Sequence, residues 1–215
     1  MPRVDEAYLE SRRREILEAA MNCFARQGFH RTTMQDIVGE TGLSAGAIYR
    51  YFQSKEDIVA AIASERHAIE ATMLDQALDR VDVALALRQL IRGLLGRLAD
   101  PEEQRWRRIT VQVWAEALRN ERVMQVVREG LDEPIEILAE LIQRGQREGT
   151  LPRDLDPVGA ARVCAAIFHG LVLQQAWDPK VDVGAYVDTT LVILDALLGR
   201  ANARPTQSRR ARRRR

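Results

Sequence analysis

Apolar residues recur every three or four positions along nearly the whole sequence, and this spacing limits the fold more than any other feature. In segment 9–27, for example, Ile16, Ala20 and Phe24 fall on one side, with charged residues mostly opposite. Such spacing is typical of amphipathic α-helices. The clearest strand-like alternation, from Ile109 to Val113, is short and has no turn signals beside it, so we interpret it as helix. The sequence therefore predicts an all-α fold.

Glycine, proline and capping residues divide this pattern into about nine predicted helices. Thr33, Ser44 and Ser54 each lie where a side-chain oxygen caps a helix N-terminus. Pro134 removes a backbone donor inside a long helix, which predicts a kink or a split there. The predicted helices are 9–27, a short segment from Thr33, 45–51, 54–79, 83–99, 102–119, 121–149, 157–177 and 183–199.

Composition excludes several classes of protein. With 46% apolar and 29% charged residues, the chain has the balance of a soluble globular protein rather than a disordered one. No stretch approaches the roughly 20 apolar residues of a membrane-spanning helix, and the polar N-terminus lacks a secretory signal. We therefore expect a cytoplasmic protein with no membrane partner. Cys23 and Cys164 lie far apart, which predicts neither a disulfide framework nor a metal site, and no motif indicates a cofactor.

The positive charge of the chain is concentrated at its C-terminus. Residues 200–215 contain eight arginines and no acidic residue, although the net charge of the whole chain is only +1. We expect residues 201–215 to form a disordered arginine-rich tail that adds salt-dependent attraction to any DNA. The remainder of the chain is acidic, so overall charge argues neither for nor against a nucleic-acid partner.

Residues 33–51 have the spacing of a helix-turn-helix, with a short helix, a tight turn at Gly42 and a second short helix. A helix that enters the major groove needs a narrow N-terminal end. Residues 44–47, Ser-Ala-Gly-Ala, are all small and meet this demand. An ordinary helical subdomain is the alternative interpretation.

Residues 27–57 resemble the N-terminal domain of the tetracycline-repressor (TetR) family. The resemblance lies in three stretches with matching spacing: QGFHRTTMQDI at 27–37, GLSAGAIYRYF at 42–52 and SKED at 54–57. The rear half is similar to the BetI-like subset through WAEA at 114–117 and FHGL at 168–171. The resemblance implies a homodimer with a helix-turn-helix domain at 1–56 and a ligand-binding and dimerisation domain at 57–200. It also implies that double-stranded operator DNA and a small-molecule inducer are its partners.

The same resemblance implies which residues meet DNA. Arg50 is exposed in the second short helix, where it reaches either a phosphate or a guanine edge. The matched phosphate contacts are Thr33, Tyr49, Tyr51 and Lys55, and the matched major-groove positions are Ser44, Ala45 and Ala47.

Candidate ligand contacts are polar or aromatic residues inside the apolar helices of the rear half, because a sensor must bury its ligand. Ordinary core or interface packing of the tryptophans is the alternative. The candidates are Trp106, Trp114, Phe168 and Gln174.

The last two predicted helices are more apolar than one buried face requires, which predicts a symmetric four-helix contact between two copies. Operator reading also needs two recognition helices in successive major grooves. A monomer with a wholly internal core is the alternative. The expected interface residues are Val163, Ile167, Gly170, Leu171, Val187, Leu191 and Leu194.

Two other classes of protein compete with a regulator. His30, His67 and His169 share no catalytic or metal-binding spacing, which argues against an enzyme. A helical carrier that does not bind DNA is the other rival. The sequence therefore predicts a ligand-responsive regulator that binds an operator as a homodimer, with repression as the usual mode of the family and activation left open.

Overall fold

The computed structural model describes residues 6–202, and in that range the chain is all-α, as expected. The predicted arginine-rich tail lies outside the described residues from position 203 onward. The nine α-helices of the described range are α1 (Glu6–Gln27), α2 (Met34–Thr41), α3 (Ala45–Tyr49), α4 (Lys55–Leu78), α5 (Val83–Leu90), α6 (Pro101–Ala117), α7 (Glu121–Glu148), α8 (Pro157–Trp177) and α9 (Val183–Asn202).

Segment 83–99 does not form the single helix predicted for it. Helix α5 ends at Leu90, a π-helical turn covers Ile91–Leu95, and a 3₁₀ turn covers Arg97–Ala99. Gly93 lies inside the π turn, and a side chain there would overlap Met73 of α4. Glycine also lowers the intrinsic preference for a regular α-helix. The segment therefore gives up helical regularity where it packs closely against α4.

Pro134 does not split α7, which runs without a break from Glu121 to Glu148. The prediction that Pro134 could divide this helix in two is therefore wrong. Helix α3 ends at Tyr49, two residues before its predicted end, and Arg50 is its C-terminal cap.

Side-chain caps fix the starts of the short helices, as predicted. Thr33 and Asp36 form a reciprocal capping box at the start of α2, and Gly42 ends α2 with a φ of 68°. The hydroxyl of Ser44 accepts from Ala47 N at 3.2 Å, and that of Ser54 accepts from Asp57 N at 3.2 Å. These bonds satisfy backbone donors that the first helical turn leaves unpaired.

The apolar core crosses the predicted boundary between residues 56 and 57. One cluster joins Ile16 of α1, Ile37 of α2, Ile48 of α3 and Ile58 of α4 to Ile109 of α6, all of them almost fully buried. Val113 and Ala117 of α6 and Val123 of α7 belong to the same cluster. The first three helices are therefore packed directly on the rear half of the chain, not only joined to it through α4.

Helices α4 and α7 approach closely at His67 and Gly130. A Cβ atom added at Gly130 would overlap the imidazole ring of His67. Burial of this ring lowers the pKa of His67, because a low-dielectric surrounding disfavours the charged form. The glycine therefore makes room for a neutral imidazole at the crossing of the two helices.

We predict that Gly130→Ala lowers the free energy of unfolding by about 1–3 kcal/mol, the usual cost of an overpacked contact. In a His67→Ala background the same change should be neutral or stabilising, because alanine is the better helix former by about 1 kcal/mol. Urea denaturation of all four chains at one fixed protein concentration measures both values. Equal costs in the two backgrounds would contradict the proposed contact.

Candidate functional site

Helix α3 presents a narrow, exposed N-terminal end on a fixed base. Ile48 is fully buried and anchors the helix in the core. Ser44 and Gly46 are exposed, and Ala45 and Ala47 are half-buried. No long side chain therefore projects from the first turn of this helix, so its backbone can come close to another surface. The groove-facing roles of Ser44, Ala45 and Ala47 stay predictions.

Larger polar side chains flank this narrow end. Tyr49 is 38% exposed and Arg50 is exposed, whereas Tyr51 is half-buried against the core. Arg31, which the sequence analysis did not single out, is exposed three residues before the start of α2 at Met34. Arg31, Tyr49 and Arg50 are therefore exposed close in sequence to α2 and α3.

Thr33 is exposed at the start of α2, and its hydroxyl is engaged by the capping box. The hydroxyl donates to Asp36 Oδ2 at 2.7 Å, and the Thr33 N–H donates to the same oxygen at 2.8 Å. These two bonds lower the pKa of Asp36, because they favour its charged form.

Lys55 is half-buried and its ammonium group is held by the loop before α2, while its role as a phosphate contact stays a prediction. Its Nζ donates to the carbonyl oxygens of Phe29 at 3.0 Å, of His30 at 3.2 Å and of Thr32 at 3.2 Å. It also lies 4.5 Å from the centroid of the Phe29 ring. An ammonium has three donors, and all three are used. Lys55 therefore fastens the loop between α1 and α2 to the start of α4.

A cavity of about 280 Å³ opens between α4, α6, α7 and α8, and we call it the polar chamber. Trp106, Trp114 and Phe168 lie on its wall, and their contact with a ligand stays a prediction. Gln174 does not line this chamber and is exposed to solvent. The prediction for Gln174 is therefore corrected: on α8 it lies on the outer side of the helix.

A second cavity of about 160 Å³ adjoins the first, and we call it the apolar chamber. Its wall consists mostly of leucine, isoleucine and alanine side chains, most of them from α4, α5, α7, α8 and α9. Five residues line both chambers, so the two spaces share a wall. These residues are Glu70, Gly130, Leu131, Phe168 and His169.

Buried charges surround the polar chamber. Glu103 forms ion pairs with Arg66 at 2.6 Å and with Arg97 at 3.1 Å, and these arginines hold its pKa below the usual range despite burial. Arg107 is only 5% exposed. Its Nη1 donates to Leu98 O at 2.6 Å, and its Nε has no hydrogen-bond partner among the side chains and backbone that the structure describes.

Two further ionisable groups on the wall are held towards their neutral forms. Burial raises the pKa of Glu70 and lowers the pKa of His169. The His169 ring packs edge-on against Trp114 with centroids 5.0 Å apart. No group of histidine, cysteine, aspartate or glutamate side chains suited to a metal ion occurs within residues 6–202.

Helix α6 connects this cavity to the loop before α2. Trp106, Arg107 and Trp114 face the polar chamber, and Gln112 lies on the opposite side at about 100° per residue. Gln112 Oε1 accepts from Phe29 N at 2.7 Å. The same loop is thus held by Lys55 from α4 and by Gln112 from α6.

Helices α8 and α9 leave an apolar face uncovered. By length and composition α8 is apolar enough to cross a membrane, with a mean hydropathy of 1.3, and only 17% of that window is buried. This corrects the expectation that no stretch comes close to such a length. Val163 is 60% exposed, Trp177 73% and Val192 68%. Large continuous patches of exposed apolar side chains are typical of interaction surfaces.

The structure corrects part of the predicted dimer interface. Leu171 is fully buried, and Val187 and Leu191 are less than a tenth exposed, because they pack in the chain's own core with Leu95 and Leu98. Leu194 packs on a second internal cluster. Val163 is exposed, and Ile167 and Gly170 are partly exposed. Leu171, Val187 and Leu191 are therefore buried within their own chain, and the roles of the other predicted interface residues stay predictions.

These features define a helix-turn-helix protein with a cavity in its second half, and comparison with known families agrees. The model of the bacterial regulatory proteins of the tetR family matches residues 16–62. The model of the BetI-type transcriptional repressor C-terminal domain matches residues 83–199, more than half of the chain. The chain therefore belongs to the tetR family and carries a BetI-type C-terminal domain. It is a DNA-binding transcriptional regulator, as the resemblance implied.

Individual relatives cover most of its length. The HTH-type transcriptional regulator YfiR of Bacillus subtilis is 28% identical over 203 residues, 92% of this chain and 97% of YfiR. The HTH-type transcriptional repressor AcnR of Corynebacterium glutamicum is 29% identical over 145 residues, 65% of this chain and 71% of AcnR. The solved structure of Salmonella enterica GusR superposes with a TM-score of 0.73 at 27% identity, covering 87% of this chain and 95% of GusR.

We predict that Lys55→Met lowers the free energy of unfolding by about 2 kcal/mol, because it removes hydrogen bonds from a charged donor.

Arg50→Ala should change stability by less than about 0.5 kcal/mol, as substitutions at exposed sites usually do, but should weaken binding to genomic fragments that the wild-type chain enriches. Thermal unfolding without DNA and fluorescence anisotropy with DNA separate the two effects. Wild-type stability of Lys55→Met would refute its fastening role.

Proposed function

We propose that this chain is a cytoplasmic, ligand-responsive repressor that binds a two-fold symmetric operator as a homodimer and leaves it when a small organic molecule occupies the cavity. Residues 1–56 read the DNA, and residues 57–200 bind the ligand and the second copy. No catalytic step belongs to this function.

The exposed end of α3 supports groove reading. Ser44, Ala45 and Ala47 would face base edges, and Arg50 with Tyr49 would contact the flanking backbone or a guanine. Thr33 and Tyr51 are placed for weaker phosphate contacts. Residues 1–60 contain eight basic and nine acidic side chains, so this region gains little from phosphate neutralisation alone. Close fit in the groove therefore has to supply more of the affinity.

The observation that carries the ligand response is the double role of α6. One side of this helix lines the polar chamber with Trp106 and Trp114, and its other side holds the Phe29 N–H through Gln112. A ligand that moves α6 therefore shifts the loop on which α2 and α3 begin. Helix α4 carries the same signal, since Arg66 lines the chamber and Lys55 holds the same loop.

The uncovered face of α8 and α9 supports the dimer. Val163, Ala166 and Gly170 follow one stripe of α8 at spacings of three and four, and Thr189 and Val192 do so on α9. Small residues in these stripes allow close approach of helices from two copies. The proposed contact thus keeps the predicted four-helix arrangement with a corrected set of residues.

We predict that Gln112→Leu uncouples the cavity from the operator. A ligand found by thermal-shift screening should lower the operator affinity of the wild-type chain by about 5- to 150-fold, the usual range of allosteric coupling. In Gln112→Leu the ligand should bind within about twofold of wild type while its effect on operator affinity shrinks, because the link to Phe29 is gone. Calorimetry and anisotropy measure the two affinities.

Gln125→Leu, an exposed change on α7, is the matched control and should respond as wild type does. If the ligand lowers the operator affinity of Gln112→Leu as much as that of the wild-type chain, α6 does not couple the cavity to the DNA-binding helices. Ligands that bind without changing operator affinity in the wild-type chain would contradict the ligand-responsive function itself.

We predict that Val192→Arg converts the dimer to a monomer and weakens operator binding, because two unpaired charges would be buried at the two-fold contact. Val158→Arg is the control. Val158 is also exposed, at 46%, but it lies outside the stripe of Val163, Ala166 and Gly170 that forms the proposed contact on α8. Sedimentation at micromolar concentration distinguishes the species. A stable wild-type monomer, or a dimeric Val192→Arg, would contradict this interface.

A further inference from the structure

The polar and apolar chambers are adjacent, because Glu70, Phe168 and His169 line both of them. A single molecule that displaced these shared side chains would place one end in each chamber. Together the two volumes reach the size range of ligand pockets, about 300–1,000 Å³. The two ends differ in chemistry: charged and aromatic side chains line one, and aliphatic side chains line the other.

Positive charge exceeds negative charge at the polar end. Glu103 is the shared partner of Arg66 and Arg97, so its single carboxylate already serves two guanidinium groups. Arg107 is a third guanidinium on the same helix as Glu103, and no ion pair with it occurs among the described side chains. An arginine stays protonated in a protein. A buried cation without a partner anion costs free energy.

The remaining carboxylate on this wall does not balance the excess. Burial raises the pKa of Glu70, which favours its neutral form, and no hydrogen bond to its side chain occurs within the described part of the chain. Arg107, which is only 5% exposed, therefore presents an Nε donor that has no hydrogen-bond partner within the described part of the chain. An anionic oxygen that reached Arg107 would satisfy the donor and the charge together.

We propose, on the basis of the ligand-responsive function above, that the ligand is an anionic amphiphile whose carboxylate pairs with Arg107 and whose aliphatic chain fills the apolar chamber. The head lies among Trp106, Trp114 and Arg107. The chain passes Phe168 and His169 and enters the leucine-lined space between α5, α7 and α9. Aliphatic rather than aromatic walls around that space favour a flexible alkyl body.

The test compares three probes with the same alkyl chain on the full-length wild-type protein: decanoate, 1-decanol and decyltrimethylammonium. Trp106 and Trp114 line the polar chamber, so their fluorescence reports binding, and calorimetry gives the affinities. Decanoate should bind at least about tenfold more tightly than the cationic probe, because the arginines attract its carboxylate and repel a quaternary ammonium group. This ranking tests the inference without any variant.

Substitution of Arg107 tests the assigned contact. Arg107→Leu should weaken decanoate at least about tenfold and leave 1-decanol within about threefold, since the alcohol needs no counter-charge. Arg108→Leu, an exposed neighbour on α6, is the matched control and should bind both probes as wild type does. If Arg107→Leu does not fold by thermal melting, Arg107→Lys replaces it and should retain a preference for decanoate over 1-decanol, with lower affinity for decanoate.

The outcomes separate this inference from the proposed function. If decyltrimethylammonium binds more tightly than decanoate, or decanoate does not bind, the ligand is not an anionic amphiphile. If the cationic probe then releases the protein from its operator, the ligand-responsive function still holds. Binding of decanoate that depends on Arg107 but does not change operator affinity supports the anionic site and contradicts its role in release. Decanoate binding that survives Arg107→Leu unchanged overturns the assignment of Arg107.

Discussion

The loop between α1 and α2 depends on two side chains from outside it. Lys55 of α4 uses all its donors on three carbonyl oxygens of the loop, and Gln112 of α6 accepts from the Phe29 N–H. Gly28, with a φ of 85°, allows the sharp exit from α1. The position of α2 and α3 therefore follows from contacts with the two helices that also enclose the cavity. A displacement of α4 or α6 would therefore act on this loop through these hydrogen bonds.

The cavity departs from the usual rule that buried charges are balanced. Glu103 sits among three arginines, and its two ion pairs leave Arg107 to a single carbonyl contact. A buried charge without a partner costs free energy in the empty protein. If the proposed anionic ligand binds here, it offsets that cost, and the same imbalance would favour anions over cations.

Periodicity and caps predicted most of the helices here, and burial decided what the sequence could not. Thr33, Ser44 and Ser54 cap where expected, because capping depends on local sequence alone. Leu171 and Leu191 were assigned to a partner surface, although they pack inwards, since apolar helices with two buried sides give no signal of which side faces the same chain. Lys55 matches a family position, but only its distances to three carbonyl oxygens show that its N–H donors are already used. Gln174 and the buried Gln175 are adjacent in sequence, and nothing in the sequence distinguishes them.

The apolar cluster that joins α1–α4 to Ile109, Val113 and Ala117 of α6 has a consequence for how such a chain can be recombined. A fragment that ended after α4 would expose these apolar side chains to water. We therefore expect helices α1–α4 not to form an independently stable domain. A chimera that joins α1–α4 to the C-terminal domain of another protein would also need the apolar residues of α6 that pack against these helices. Exchange of sensors in such a protein is therefore constrained by packing as much as by the DNA sequence it recognises.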